Sequence, residues 1–345
     1  MNINTSLIAF TEKLFGELFN DPKITEIKIN HPNLILYETE TGERFKGNDE
    51  QNARVTLENL EYFTNALSSN ANQKSDQKKP ILGTTLPTGE RIQIVRPPAV
   101  DPSQFSITIR KPMKLVKKLS EYKSDGFFDE IVMNEHSITQ FDRELAHLLD
   151  KGDFEQFFYR AVESGTMNMV IAGATGSGKT TFFKACMQAI PEDERLITIE
   201  DVRELYSEKH YDVVNLLYPS EIKDDGQVTP TALLKSCLRM KPDRILLAEL
   251  RGAETYDYIN IISSGHGGSI TTLHAGTKEE AIRRLTLMSM QHKTGANIPY
   301  EITKSTIEET IDVIATVGRV NGKRCITSLH WKNYTKVKAI IESEK

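Results

Sequence analysis

Apolar and polar positions along this chain follow two different periods, and the way they alternate changes partway. Leu7, Phe10, Leu14, Phe15, Leu18 and Phe19 recur at helical spacing on one stripe, and Asp21-Pro22 ends it, so the spacing predicts an opening helix. Ile24–Ile29 and Asn33–Tyr37 then show the two-residue period of half-buried strands, with Thr41-Gly42 at a turn. A second helix is predicted over Ala53–Leu67, a polar surface loop over Ser68–Lys79, and two more strands over Arg91–Val95 and Phe105–Ile109. Helices and strands mix here without regular alternation, which predicts a small α+β domain over residues 1–112.

Lys111-Pro112 breaks that pattern. Residues 113–150 are charged, weakly periodic and expected to be helical in pieces, with Lys111, Lys114, Lys117 and Lys118 close together. The ordinary explanation is a solvated linker face; the functional one is contact with anionic lipid or a neighbouring subunit. From 151 to 345, strand and helix alternate. Strands are predicted at Met167–Ala172, Leu196–Ile199, Val213–Leu217, Arg244–Ala248, Ser269–Leu273 and Val313–Val317. Helices fall at Thr180–Ala189, Thr231–Met240, Glu254–Ser264 and Lys278–Met290, and Asn321-Gly322 marks a hairpin. A frayed helix is expected from Lys338. This is the pattern of an α/β domain with an open, mainly parallel sheet covered on both faces.

Composition narrows the class. A chain of 345 residues with 39% hydrophobic and 26% charged residues has material for two globular domains. Its net charge of −5 argues against a protein that mainly coats nucleic acid. Leu7–Phe10 is too short for the core of a signal peptide, and no apolar run approaches a membrane span, so a cytoplasmic protein is expected. Cys186, Cys237 and Cys325 are far apart and form no metal pair; each reads as a small buried hydrophobe.

The run Gly173, Ala174, Thr175, Gly176, Ser177, Gly178, Lys179, Thr180 is a complete P-loop, set between a predicted strand and a helix that Thr181 opens. Glycines let backbone N–H groups converge on phosphate oxygens, and the helix N-terminus adds partial positive charge. Lys179 is placed to reach the β- and γ-phosphates and Thr180 to hold Mg²⁺.

Three other stretches put reactive side chains where ligands collect, at the carboxyl ends of strands. Ile197–Leu205 runs an apolar strand into Glu200, Asp201 and Glu204; a capping box from Asp201 to Glu204 is the structural alternative. Arg244–Gly252 carries Glu249 at the end of a buried strand, where a carboxylate steadies Mg²⁺ or orients water, or else pairs with Arg251 or Arg244. Gly265–Gly276 puts His274 between a strand and a helix that Thr277 and Glu280 cap, a place for sensing the γ-phosphate; His266 is the weaker candidate.

Together these stations resemble the secretion superfamily of hexameric ATPases, and in spacing and wording the VirB-type traffic ATPases of type IV secretion systems. Gly89–Pro98 and Phe105–Pro112 are similar to that family's N-terminal segments. The resemblance is clear over roughly residues 80–112 and 167–320 and faint elsewhere. It implies a RecA-like ATPase domain behind the smaller N-terminal domain, ATP and Mg²⁺ as ligands, and a homo-oligomer, expected to be a hexamer. It further implies that Arg91 and Arg110 lie against the γ-phosphate, that Glu204 and Glu249 are the two acidic stations, and that His274 is the histidine station. A guanidinium fork suits charge spread over phosphoryl oxygens; a cross-strand salt bridge is the plain alternative. Implied partners are inner-membrane secretion components and other secretion ATPases, with peripheral contact at the cytoplasmic face of the inner membrane and nucleic-acid binding left open. The family commonly has proline where Gly267 stands. A long linker is expected to let each N-terminal domain pack over a neighbour's ATPase domain. Other readings are a type II secretion or pilus motor, whose four-cysteine module is missing here, a nucleic-acid motor, or a docking scaffold with little turnover.

Overall fold

The computed structural model describes residues 3–112, 117–131, 138–221 and 228–344; of the expected lysine cluster, Lys114 lies outside the described residues. The N-terminal part runs α1 (Ile3–Asn20), β1 (Ile24–Ile29), β2 (Ile35–Thr39), β3 (Arg44–Lys46), α2 (Asp49–Arg54), α3 (Leu57–Asn70), β4 (Ile81–Thr85), β5 (Arg91–Val95) and β6 (Ser106–Arg110). Its strands form one antiparallel sheet in the order β3-β2-β1-β6-β5-β4. The predicted stripe of α1 buries Leu7, Leu14 and Phe15 with Phe63 and Leu67 of α3 against Ile27, Ile92 and Ile107 of the sheet. The single helix expected over Ala53–Leu67 is two, because Asn48 and Thr56 each cap a new start. Two strands were not predicted: β3 is three residues long, and β4 carries Gly83 in its centre.

After α4 (Leu119–Ser124), helices α5 (Gln140–Lys151) and α6 (Phe154–Glu163) lead into the second sheet. α5 had been expected within the linker. Its Leu145 and Ala146, with partly buried Phe141, Leu148 and Leu149, instead share a core with Phe157, Met169, Phe183 and Trp331. Packing on the second sheet thus begins near Ile138, ahead of residue 151.

The second part contains β7 (Met169–Gly173), α7 (Lys179–Met187), β8 (Leu196–Glu200), β9 (Val213–Leu217), α8 (Pro230–Cys237), β10 (Arg244–Leu247), α9 (Glu254–Ser263) and β11 (Ile270–Leu273). It closes with α10 (Lys278–Ser289), α11 (Tyr300–Thr310), β12 (Val313–Val320), β13 (Lys323–Trp331) and α12 (Tyr334–Ser343). The sheet order is β13-β12-β7-β11-β10-β8-β9, parallel throughout except for the β12–β13 hairpin that Asn321-Gly322 turns. Near-continuous burial of β7, β8, β10 and β11 is what a sheet covered on both faces requires.

The two sheets meet along β9, the edge strand. Val95, Ala99 and Val100 join Ile199, Val214 and Leu216 in one core, and the Leu217 N–H donates to the Ala99 carbonyl at 2.9 Å. At the other end of β9, Asp212 accepts from Lys28 Nζ at 2.6 Å and Asn30 Nδ2 at 2.8 Å, and pairs with Arg195. All four side chains are buried. Burial alone pushes the Asp212 carboxyl up, but Arg195 and Lys28 outweigh it and hold it down at about 2.

Candidate nucleotide-binding site

β7 ends at Gly173, where a Cβ would stand 2.4 Å from the Val317 carbonyl oxygen, so the strand can turn there only without a side chain. Gly176 and Gly178 have φ of 72° and 108°, a region that L side chains avoid and that lets successive N–H groups face one point. α7 starts at Lys179, which sets a helix N-terminus against the loop. Ala174, Thr175 and Thr181 are exposed and Thr180 is half-buried. Ser177 is buried, and among the described residues its hydroxyl has no hydrogen-bond partner.

Lys179 is 8% exposed and donates to the carbonyls of Gly173 at 2.9 Å and Ala174 at 3.1 Å. Burial lowers its pKa, and the charge of Glu249 resists that. Its third contact is His274 Nδ1 at 3.3 Å. An ammonium can only donate, so Nδ1 is the acceptor and the ring proton sits on Nε2. That Nε2 donates to Glu249 Oε1 at 2.9 Å. Arg251 grips the other oxygen of Glu249 at 2.8 Å and reaches Asp201 at 2.6 Å. For Asp201, burial raises the pKa, but Arg251 more than cancels it and the net shift is downward. A continuous file therefore crosses the rim from β7 through β11 and β10 to β8, in the order of the strands.

The acidic residues separate by role. Glu200 is fully buried and accepts from Thr198 Oγ1 at 2.9 Å and from the N–H groups of Glu204 and Leu205, each at 2.8 Å. Burial raises its pKa against those donors. It fastens the loop after β8. Glu204 is exposed on that loop. No helix starts at Asp201, so the capping-box alternative fails there, whereas Thr277 does cap α10. Glu249 takes Arg251 as its salt-bridge partner; Arg244, the other candidate, is held by Glu194 at 3.0 Å.

Arg91 and Arg110 stand elsewhere. They are direct cross-strand partners on β5 and β6, and they line a cavity with Glu26, Lys241 and His266. Lys241 and His266 precede β10 and β11, so this cavity opens at the entering end of the parallel strands, opposite the P-loop rim. Within one chain the two arginines do not meet that chain's P-loop. Arg110 pairs with Glu26 at 3.5 Å, as the salt-bridge alternative foresaw. Yet two guanidiniums placed directly opposite each other repel and destabilise the sheet. His266 shares their cavity and is thereby removed from the phosphate rim. Cys186 and Cys237 are buried as expected, but Cys325 is half-buried, beside the P-loop.

Sequence reasoning had treated Arg251 only as a possible partner of Glu249, and had not considered Arg324, whose Cδ would touch a Cβ on Gly178 at 3.2 Å. The first was legible two residues from Glu249. The second follows only from the register of the hairpin.

A parallel sheet with a P-loop after one strand, and a histidine and carboxylates filed across the same rim, defines a P-loop ATPase with a RecA-like domain. The chain belongs to the type II/IV secretion system protein family, whose model matches residues 34–338. It is 45% identical over 305 residues to the type IV secretion system protein VirB11 of Brucella abortus, covering 86% of this chain and 82% of the relative. The PtlH protein of Bordetella pertussis, also of type IV secretion, is 39% identical over 305 residues, 87% of each chain. The crystal structure of the VirB11 ATPase of Brucella suis in complex with sulphate superposes with a TM-score of 0.89 at 41% identity, covering 98% of both chains.

Proposed function

We propose that this chain is a Mg²⁺-dependent motor ATPase of type IV secretion, working as a homo-oligomer, with six copies as the expected number, at the cytoplasmic face of the inner membrane. Its hydrolysis would power assembly of the apparatus or pilus and passage of DNA or protein. One observation carries the reading: Lys179, His274 and Glu249 stand in hydrogen-bonded sequence across the rim. Lys179 is held by two carbonyls that a phosphate oxygen would replace with a stronger, charge-assisted acceptor. His274 lies between the phosphate-binding lysine and Glu249, so occupation of the loop is felt at the carboxylate. Freed from His274, Glu249 can orient a water and accept its proton. Glu204 is the second acidic group at hand, while Glu200 holds their loop.

Mg²⁺ would neutralise charge on the phosphates. Among the described residues no cluster of three or more His, Cys, Asp or Glu could hold a metal alone. Thr180 and Glu249 suit an ion that keeps most of its coordination for phosphate and water. Among the described residues no helix is long and apolar enough to cross a membrane.

Arg91 and Arg110 would serve a neighbouring copy's γ-phosphate. An anion between them relieves the repulsion that their register imposes. The N-terminal domain rests on its own chain's β9, away from its own P-loop, which favours delivery to another chain. The test is ATP turnover per chain, with Mg²⁺, as the protein is diluted through its assembly range. Activity per chain should collapse on dilution; constant turnover down to a monomer would refute the shared site.

A further inference from the structure

Four charged side chains stand in one row across the N-terminal sheet. Glu38 of β2 faces Glu26 of β1, Glu26 faces Arg110 of β6, and Arg110 faces Arg91 of β5. The arginine cavity over this row has two adjoining lobes of about 690 and 730 Å³, and Glu26, Arg91, Arg110 and Lys241 line both. The two carboxylates are held very differently. Glu38 pairs with Lys241 and lies 3.7 Å from Arg44 Nε. Glu26 is 3% exposed, and its Oε1 stands 3.5 Å from Arg110 Nε, longer than a hydrogen bond. Among the described residues its Oε2 has no hydrogen-bond partner. A buried carboxylate with so little compensation is costly in its charged form. Arg110 itself is 69% exposed and can swing away.

We infer that Glu26 is a positioning residue for Arg110, holding its guanidinium while charged and releasing it, once protonated, to the phosphate of a neighbouring copy's ATP. The inference rests on the reading of Arg110 as an arginine shared between copies. Burial pushes the Glu26 carboxyl up to about 7; Lys241, Arg110 and Lys28 oppose that, and Glu38 adds to it. When Arg110 turns to a phosphate, one opposing charge is lost and an anion arrives nearby. Both changes favour the neutral carboxyl. Proton and anion therefore support each other's binding, and by reciprocity a lower pH tightens the anion. The other charged and titratable groups of the two lobes, Glu40, Lys111, Arg239 and His266, remain in any Glu26 variant. A difference between wild type and variant thus belongs to Glu26.

The experiment uses the full chain at concentrations where copies are assembled. KM and kcat for MgATP are followed from about pH 6 to about pH 8 in wild type, Glu26→Gln, Glu26→Asp and Arg110→Ala. Dividing the wild-type KM by that of Glu26→Gln cancels the titration of ATP itself. This ratio should rise about fivefold with pH, Glu26→Gln being the tighter binder at pH 8. Damage to the fold can only weaken binding, so the gain separates positioning from a structural role. Glu26→Asp, which keeps a carboxyl, should keep its KM dependent on pH relative to Glu26→Gln. Calorimetry with Mg²⁺ and the non-hydrolysable analogue AMP-PNP, in buffers of different ionisation heat, should find extra proton uptake near pH 7 in wild type and none in Glu26→Gln. A ratio that ignores pH, or equal proton uptake in the two proteins, would overturn the role of Glu26 and leave the shared arginine site standing. Turnover in Arg110→Ala equal to wild type would remove both.

Discussion

The cluster of Lys28, Asn30, Arg195 and Asp212 and the file of Lys179, His274, Glu249, Arg251 and Asp201 are built from similar side chains at opposite ends of one parallel sheet. At the entering end the four groups are buried and nearly every donor has an acceptor: Arg195 is 0% and Asp212 1% exposed. At the leaving end the partners are provisional. Lys179 leans on main-chain carbonyls, Arg251 is 50% exposed, and Glu249 divides its oxygens between a histidine and an arginine. A closed cluster fixes two domains against each other. An open file can exchange one partner for a ligand, and that makes it the better candidate for chemistry.

That contrast can be broken most decisively at Lys179. Lys179→Ala should lower turnover by on the order of 10³-fold with the melting temperature little changed, and Glu249→Gln should do nearly as much while ADP still binds. Retained turnover in the lysine variant would sink the assignment of the rim. Mixing is the next test. Chains carrying Lys179→Ala and chains carrying Arg91→Ala should each be inactive alone and regain part of the activity when mixed. A mixture that stays dead would deny that Arg91 works on a neighbour's cleft.

At the closed cluster the effect should fall on stability. Asp212→Ala leaves Lys28 and Arg195 uncompensated and should cost about 3–5 kcal/mol in urea unfolding. In the wild type, Asp212 titrates at about 2 when folded and near ~3.9 when unfolded. Its contribution is therefore complete above about pH 4 and fades as the pH drops toward 2. The smallest effect belongs to Glu26, 3% exposed in the arginine cavity, whose carboxyl burial pushes up to about 7 against the pull of Lys241 and Arg110. Folding then favours its protonated form, so stability should decline between ~4.3 and about 7 as the pH rises. Glu26→Gln should remove that decline, a difference of roughly 1–3 kcal/mol at pH 8. An unchanged slope would assign it to other groups.

The strands of the second part were legible because a sheet covered on both faces writes each strand as a short apolar run, and the runs of β7, β8, β10 and β11 lead into recognisable rim residues, whereas helices α6 and α11 were not predicted. Glu249 and His274 were legible for the same reason. What could not be read was association at a distance. Nothing local in Lys28 or Asp212 says that residues 184 positions apart share a hydrogen bond. Arg324 meets Gly178 only through hairpin register. Glu200, Glu204 and Glu249 could not be told apart in sequence, and the structure separates them: Glu200 turns inward to its own loop, Glu204 stays exposed, and Glu249 joins the file with Asp201 through Arg251. The position of Arg91 and Arg110 at the far end of the strands follows from how two domains dock, which no periodicity encodes.

β9 brings a different consequence. The last strand of a sheet offers unpaired N–H and C=O groups on which another chain can template a strand, a standing risk of aggregation. Here residues 95–100 lie over that edge, and the Ala99 carbonyl takes the Leu217 N–H. At the other border, β13 begins with Lys323 and Arg324, whose like charges discourage a second copy from adding there. The N-terminal domain thus doubles as a sheath, and cutting it away would strip a sticky margin bare.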